Sequence, residues 1–528
     1  MARKILAVTI CLIIVMLSFG GCFGRPKADE SFAVPILDEP TSLDPQIADS
    51  DAEKMIILNC YEGLLRVNSQ GELEAGVAES YDVSDDGLTY TFNLRHDAHW
   101  ALFSGHKNVI GEDYKDSFDI TVYAKDFEFA FDRVFNEQIN SPYREVFDCV
   151  ESYTALDSFT FKIKLKYKHD GFLYSLTYPG AMPCDKEFYE LCGGKYGLDA
   201  KYMLCNGAFN AYRWTEGTSI RIVRNDDYNG VNRIMPAAVT FYINPSEAVV
   251  AEKMATETYD VAFLSGDNYQ NLPNKDDFNV QEIENVVYSM IFNQSNKYLE
   301  NKDIRLALVY SIDREMFAGF DENAVAADSI VPPFCTVGNK PYNALTGSKL
   351  PQYNEQKAKE HFENGLLDLG TSSVELDIKC TERYEQFIKQ LVQIMQKTLG
   401  VKFVVSVSVL EQSEITAAIA DGDYSIVFYP FVADTSRTEE FLASFDNNSL
   451  FNYKSELYSE ALANIRRNSG SFSALEAGCE QAEQILISDA VMLPVIYEKS
   501  YFITDEDCDG IYFYSSQYNV VFMSATGK

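Results

Sequence analysis

Residues 62–100 read EGLLRVNSQGELEAGVAESYDVSDDGLTYTFNLRHDAHW. Within them Leu88–Leu94 alternates apolar and polar side chains, the period-2 pattern of a half-buried strand. The preceding Ser84-Asp85-Asp86-Gly87 is a tight-turn signal. Upstream, Met55, Ile56, Leu58 and Cys60 recur at helical spacing within Ala52 to Leu65, and Glu62-Gly63 reads as the end of that helix. Downstream, Ala124–Phe135 puts Phe127, Ala130, Phe131 and Val134 on one helical face. Ser158–Leu165 (SFTFKIKL) then repeats the strand pattern after an Asp-Ser turn. The stretch belongs to a strand-rich piece interrupted by one helix.

The rhythm changes on either side. Phe32–Leu37 reads as a strand, followed by the turn residues of EPTSLDP (39–45). From Asn206 strands alternate with helices. Strands are expected at Ser219–Val223, Ala238–Ile243 and Val261–Leu264, with a helix at 246–256. Helices follow at Ile304–Asp313, Glu355–Leu367, Arg383–Leu399 and Ala474–Ile487, with strands at Lys402–Val409 and Tyr424–Tyr429. Asp509–Met523 returns to strand character. A chain of 528 residues exceeds what one core sustains, so two or three domains are expected. No internal repeat or second membrane-length apolar span is visible.

The formal net charge of −35 excludes the clustered basic surface that nucleic acid requires, and it disfavours adhesion to anionic lipid. Its plain reading is solubility outside the cell, and its sharper reading a field that favours cationic over anionic ligands. At the start, Arg3 and Lys4 precede an apolar run from Ile5 to Phe19, shorter than the ~20 residues of a membrane span. Gly20 and Gly21 then precede Cys22. This resembles a bacterial lipoprotein signal, with Phe19 where an aliphatic residue is usual. The resemblance implies a signal peptide at 1–21, lipidation of Cys22 and a polar tether over 22–30. Nine of the 11 cysteines lie beyond it, scattered, without C-x-x-C or metal-type spacing. They are expected to pack as small apolar side chains.

Eight segments carry a family resemblance in order. They are EPTSLDP (39–45), the 62–100 stretch, AKDFEFAFDRV (124–134), NGAFNAYRW (206–214), TETYDVAFL (256–264), FNQSNKYLENKDIRLALVYSIDREMF (292–317), YNEQKAKEHFENGL (353–366) and LPVIYEKSYF (493–502). Together they resemble the oligopeptide- and dipeptide-binding class of ABC-importer solute-binding proteins, family 5, over about 32–512. The resemblance implies an α/β fold of two lobes joined by a hinge, periplasmic-binding-protein-like, with an extra third domain. Lobe I would comprise 31–60, 200–295 and 500–528, the extra domain 61–199, and lobe II 296–499.

Members that take peptides hold them extended, with a carboxylate on the α-ammonium group. YSIVFYPFVAD (424–434) matches the segment that carries it, which puts Asp434 at the amine-binding position and Phe431 at the aromatic lining the pocket. Ala48 and Asp49 are expected on the opposite wall. Pro430 departs from the family's usual Gly-Trp, and a proline has no N–H to give a peptide. That departure keeps open a non-peptide solute: an oligosaccharide, a nickel chelate or haem.

His96, His99 and His106 lack the spacing of a metal site, and Asp505, Asp507 and Asp509 have Ser516 where a calcium loop needs Glu. No metal or other cofactor is expected. No hydrolase, Walker or Rossmann motif is present, so an exported hydrolase is the weaker alternative. The sequence thus points to a monomeric binding protein without catalytic residues, lipid-anchored on the outer face of the bacterial membrane. Its partners would be a peptide or similar solute and the permease subunits and ATPases of an ABC importer.

Overall fold

A computed structural model describes residues 30–68, 71–169, 171–230, 233–244, 246–317, 323–338, 340–346, 349–433, 435–446, 453–468, 472–514 and 519–527. Strand Ser31–Ile36 buries every second side chain, as its alternation requires, and pairs in parallel with Ala238–Ile243. Ser219–Arg224 and Phe209–Thr215 extend this four-stranded sheet by antiparallel pairing. Helix Asp51–Cys60 begins at a capping box in which Ser50 and Glu53 cap each other's backbone N–H. The helix stops at Cys60, short of the expected end at Glu62-Gly63, because Tyr61 turns extended and Asn206 takes over the next backbone groups. Asn206 accepts from Glu62 N at 3.0 Å and donates to Glu62 O at 2.8 Å.

The 62–100 stretch enters a second four-stranded, antiparallel sheet in the order Ala78–Val83, Thr89–Leu94, Thr160–Leu165, Val150–Ala155. Its first turn is locked by Ser84 Oγ and Leu88 N, both donating to Asp86 Oδ1 at 2.6 and 3.0 Å, and Gly87 takes the left-handed φ of 70°. Helix Ala124–Phe135 lays Phe127 and Phe131 on this sheet, each 6.0 Å from Phe161. This sheet and the first share one hydrophobic core.

The third sheet runs Val261–Ser265, Met492–Asp505, Phe278–Phe292, Ile426–Val432, Val374–Cys380, Phe403–Val409, with Ala324–Ala326 also paired to 492–505. Strands 278–292 and 492–505 are long enough to belong to two bodies. Phe278–Ile283 pairs with Ser500–Asp505 beside Val261–Ser265, whereas 286–292 lies against Ile426–Val432. The ladder between the two long strands slips at Ile283/Val286 and again at Tyr288/Ser289. Beyond the slips the sheet is buried on both faces: Val287, Ile291, Val427 and Phe431 enter one core, Met290, Phe292, Ile426 and Phe428 the other. Helices Lys302–Tyr310, Glu355–Leu369 and Glu385–Leu399 cover the second core, and Phe472–Ser488 covers the first. The strand character expected over 509–523 resolves into two short strands, Tyr512–Tyr514 and Asn519–Val521.

Candidate functional cleft

Glu53 builds the first wall. Its Oε1 accepts from Thr41 N, Thr41 Oγ1 and Ser42 N at 2.7, 2.8 and 3.1 Å, and its Oε2 from Asp49 N and Ser50 N at 2.9 and 3.1 Å. Burial alone would raise this carboxyl's pKa; the hydrogen bonds from Asp49, Ser42, Thr41 and Ser50 outweigh it and hold the group below its ordinary range. The loop from Thr41 to Ser50 is thereby fixed, and it carries the two sequence-expected residues. Ala48 is buried, and its carbonyl accepts from Tyr143 Oη at 2.7 Å. Asp49 keeps its carboxylate in solvent, 3.7 Å from Lys54. Tyr143 lies so close to Gly180 that a Cβ there would sit 2.5 Å from the ring, which brings Tyr178 beside the same wall.

The opposite wall is the end of strand Ile426–Val432. Pro430 stands opposite Tyr288 in the ladder. Phe431 is 8% exposed; its ring stacks on Phe445 at 4.4 Å and meets Phe441 edge-on at 5.5 Å, inside the second lobe's core. Ala433 N donates to Asn285 O at 2.8 Å. Asp434 lies outside the described residues. The chain then turns through Thr435–Arg437, tied to Thr336 by Thr336 N on Ser436 O at 2.6 Å and Thr438 Oγ1 on Thr336 O at 2.9 Å.

The walls meet through this turn. Arg437 forks onto Glu439 Oε1 through Nε (3.0 Å) and Nη2 (2.7 Å), and its Nη1 reaches Glu440 Oε1 at 2.9 Å. Glu440 also accepts from Thr435 Oγ1 at 2.7 Å and from Tyr178 Oη, across the cleft, at 3.3 Å. Gly171 abuts the Arg437 guanidinium. Burial and the adjacent Arg437 push the His169 imidazole below its ordinary pKa, and burial with Glu440 pushes the Tyr178 phenol up. Phe334 packs against the cores on both sides. The structure thus brings Ala48 and Asp49 to one wall and Phe431 behind the other. Tyr143, Tyr178, Arg437 and Glu440 were not anticipated. Only the Ser50-x-x-Glu53 capping box left a readable signal.

The other constellations resolve into structure. His96 stacks on Phe159 at 3.9 Å, and buried His106 bonds Met203 O through Nε2 at 2.8 Å. Asp505 and Asp509 cap turns, accepting from Asp507 N at 3.0 Å and Gly510 N at 2.7 Å. Among the described residues no group of three or more metal-ligating side chains converges. The nine described cysteines are all buried thiols. Among the described residues no helix is long and apolar enough to cross a membrane.

Two lobes joined by a pair of continuous strands, with a cleft between them, define the hinged class of solute-binding proteins. The sequence profile of the bacterial extracellular solute-binding proteins, family 5, matches residues 72–452, and the chain belongs to that family. It is 24% identical to the oligopeptide-binding protein OppA of Bacillus subtilis over 97% of each chain. It is 22% identical to the dipeptide-binding protein DppE of the same organism, over 90% of this chain and 88% of that one. Among solved structures, the ABC transporter substrate-binding protein CtaP of Listeria monocytogenes superposes with a TM-score of 0.75 at 18% identity, covering 95% of this chain and all of that one. OppA of Listeria monocytogenes bound to peptide superposes at 0.70 and 19% identity, with coverage of 95% and 100%. These likenesses establish the two-lobed fold.

Proposed function

We propose that the chain captures peptides in the cleft between its lobes and delivers them to an ABC importer. The observation that carries this reading is the cleft itself. The segment that follows position 434 reaches across it to Tyr178, so a solute held there would be enclosed as the lobes meet. The names of the relatives, oligopeptide- and dipeptide-binding proteins, supply the solute class. In this reading Asp434 takes the peptide's α-ammonium, Phe431 backs that wall from the core, and Ala48 and Asp49 stand opposite. Closure would bury the ion pair, which strengthens it and makes an unpaired partner costly. In this reading the chain divides into lobe I (31–60, 200–283 and 500–528), an extra domain (61–199) and lobe II (286–499), the expected boundary at 295/296 moving back to the slip because Val287, Met290, Ile291 and Phe292 pack in the cores of lobe II. Cys22 carries the lipid that holds the protein on the outer face of the membrane, and the permease subunits and ATPases receive the solute.

Thermal unfolding against di- to octapeptides, sugars and metal chelates tests the reading. A ligand at 100 times its Kd stabilises the fold by about 2.7 kcal/mol. Free-amine peptides are expected to raise the midpoint, N-acetylated ones not, and Asp434→Ala to abolish the shift. A shift with a sugar or chelate and none with any peptide would refute the peptide assignment.

A further inference from the structure

The slip between the two long strands has an unusual content. Ile283 faces Ser500 and Val286 faces Glu498, so Glu284 and Asn285 together oppose Lys499. Such a bulge re-aims side chains and recurs beside binding sites. Both bulge carbonyls are engaged: Glu284 O accepts from Phe334 N at 3.0 Å, and Asn285 O from Ala433 N at 2.8 Å. Asn285 Nδ2 donates to Ala433 O at 3.4 Å. The bulge is therefore fastened to the backbone leading into the cleft turn, and to Phe334, which packs on both lobes' cores.

Its acceptors, in contrast, are left over. Asn285 is 5% exposed, yet among the described residues its Oδ1 has no hydrogen-bond partner. A buried amide oxygen in that condition destabilises the fold until a donor arrives. The adjacent Glu284 is half-buried, and its carboxylate has no hydrogen bond among the described residues. Lys499, opposite the bulge, makes its ion pair with Glu282 instead, at 2.9 Å. Burial raises the Glu284 pKa; Lys499 opposes that rise, and Glu282 and Asp328 add to it. A carboxylate in that position gains from any cation brought to it.

We propose that the Glu284–Asn285 bulge is an ammonium-binding subsite at the hinge end of the cleft. Glu284 supplies the charge and Asn285 Oδ1 the neutral acceptor for two of an ammonium's three donors. The inference rests on the peptide reading above. An α-ammonium and a lysine ε-ammonium present the same chemistry. A ligand held there touches the residues at which the ladder slips, so it contacts the hinge as well as the walls.

Calorimetric titration of the purified full chain with Ala-Ala-Ala, Ala-Lys-Ala and N-acetyl-Ala-Lys-Ala tests it. Glu284→Gln is expected to weaken at least one of them tenfold. Loss confined to the lysine peptides identifies the lysine side chain, and loss on Ala-Ala-Ala identifies the α-ammonium, which the subsite would then take in place of Asp434. Asn285→Asp adds a charge without changing the shape, and is expected to tighten the same peptide severalfold. A merely structural clamp on Ala433 would instead weaken all three alike. The proposal is overturned if Glu284→Gln leaves all three affinities within twofold of the wild type, or if Asn285→Asp weakens them uniformly. If the wild type binds a sugar or chelate and none of the peptides, the peptide reading falls and this subsite with it.

Discussion

Gly171→Ala should weaken ligand binding without weakening the fold. Gly171 has φ −72°, ψ −7°, which alanine adopts freely, so the exchange slightly restricts the unfolded chain and favours folding by about 0.4–1 kcal/mol. In the closed cleft, however, a Cβ at 171 would lie 2.5 Å from Arg437 Nη2, 3.3 Å from Arg437 Cζ and 3.1 Å from His169 Cε1. The guanidinium cannot simply swing away, because three contacts of 2.7 to 3.0 Å hold it to Glu439 and Glu440. Overpacking of this kind costs about 1–3 kcal/mol. The clash with Arg437 exists only while the second lobe stands against residue 171, so that part of the cost falls on closure, whereas the approach to His169, on the same wall, is present in either state. At about 1.4 kcal/mol per tenfold, affinity should drop by roughly 5- to 150-fold. Calorimetric Kd for a peptide the wild type binds, with urea unfolding alongside, separates the two effects. A Kd within twofold of the wild type at an unchanged urea midpoint would refute the role given to the Gly171–Arg437 contact.

Glu53→Gln should destabilise by roughly 2–5 kcal/mol, because one amide oxygen cannot replace two carboxylate oxygens serving five donors; urea unfolding reads it. Because the Glu53 pKa is lowered by folding, its contribution is present above the ordinary carboxyl range and fades as pH falls through the folded value. Buried Asp126 behaves in the opposite sense. Folding raises its pKa from 3.8 to about 8, chiefly by burial, so stability is full below pH 4 and is lost as pH rises towards 8. Asp126→Asn should therefore unfold at higher urea than the wild type at pH 8, and the advantage should vanish near pH 4. Burial lowers the His106 pKa from 6.5 to about 4, so its neutral form contributes above pH 6.5, and that stability is lost as pH falls to 4. His106→Gln should flatten that acid limb by about 3 kcal/mol.

The scaffold was legible because each element follows from its own residues. LTYTFNL alternates and becomes a strand; AKDFEFAFDRVF has one apolar face and lays it on that strand's sheet. Errors fell at element ends, where tertiary partners decide. Nothing near Cys60 in sequence announces that Asn206 will take the next turn's backbone groups. Ile304–Asp313 was placed too late because Asn301 caps the helix, donating no apolar signal but accepting from Ile304 N at 3.2 Å. The cleft was far less legible. Ala48 and Asp49 follow a recognisable turn, which is why they could be named at all, whereas Tyr178 meets Glu440 across 262 residues of chain and Gly171 abuts Arg437 with no local pattern to mark either pair. The bulge at Glu284–Asn285 breaks a period-2 run by one residue, which in sequence is indistinguishable from a strand of mixed polarity.

The way the second lobe is packed concentrates bending at the residues of the proposed subsite. Its sheet carries a core on each face, so the strands from 286 to 292 and 426 to 432 are held from both sides and resist deformation. Rotation between lobes must therefore concentrate where the ladder is already broken. At Glu284–Asn285 the backbone has exchanged its sheet partners for Phe334 and Ala433, one residue from each of two segments that face the cleft. As the lobes turn about that point, Ala433 stays fixed to the bulge, and the turn it leads into, Thr435 to Glu440, moves with the hinge rather than independently of it. Tyr178 and Gly171 on the other wall then meet Glu440 and Arg437 only at one angle of closure. In the proposed reading, a solute held between the bulge and that turn would stabilise this angle. On that reading, selectivity would follow from a geometric condition on closure, set by a few residues at each end of the cleft.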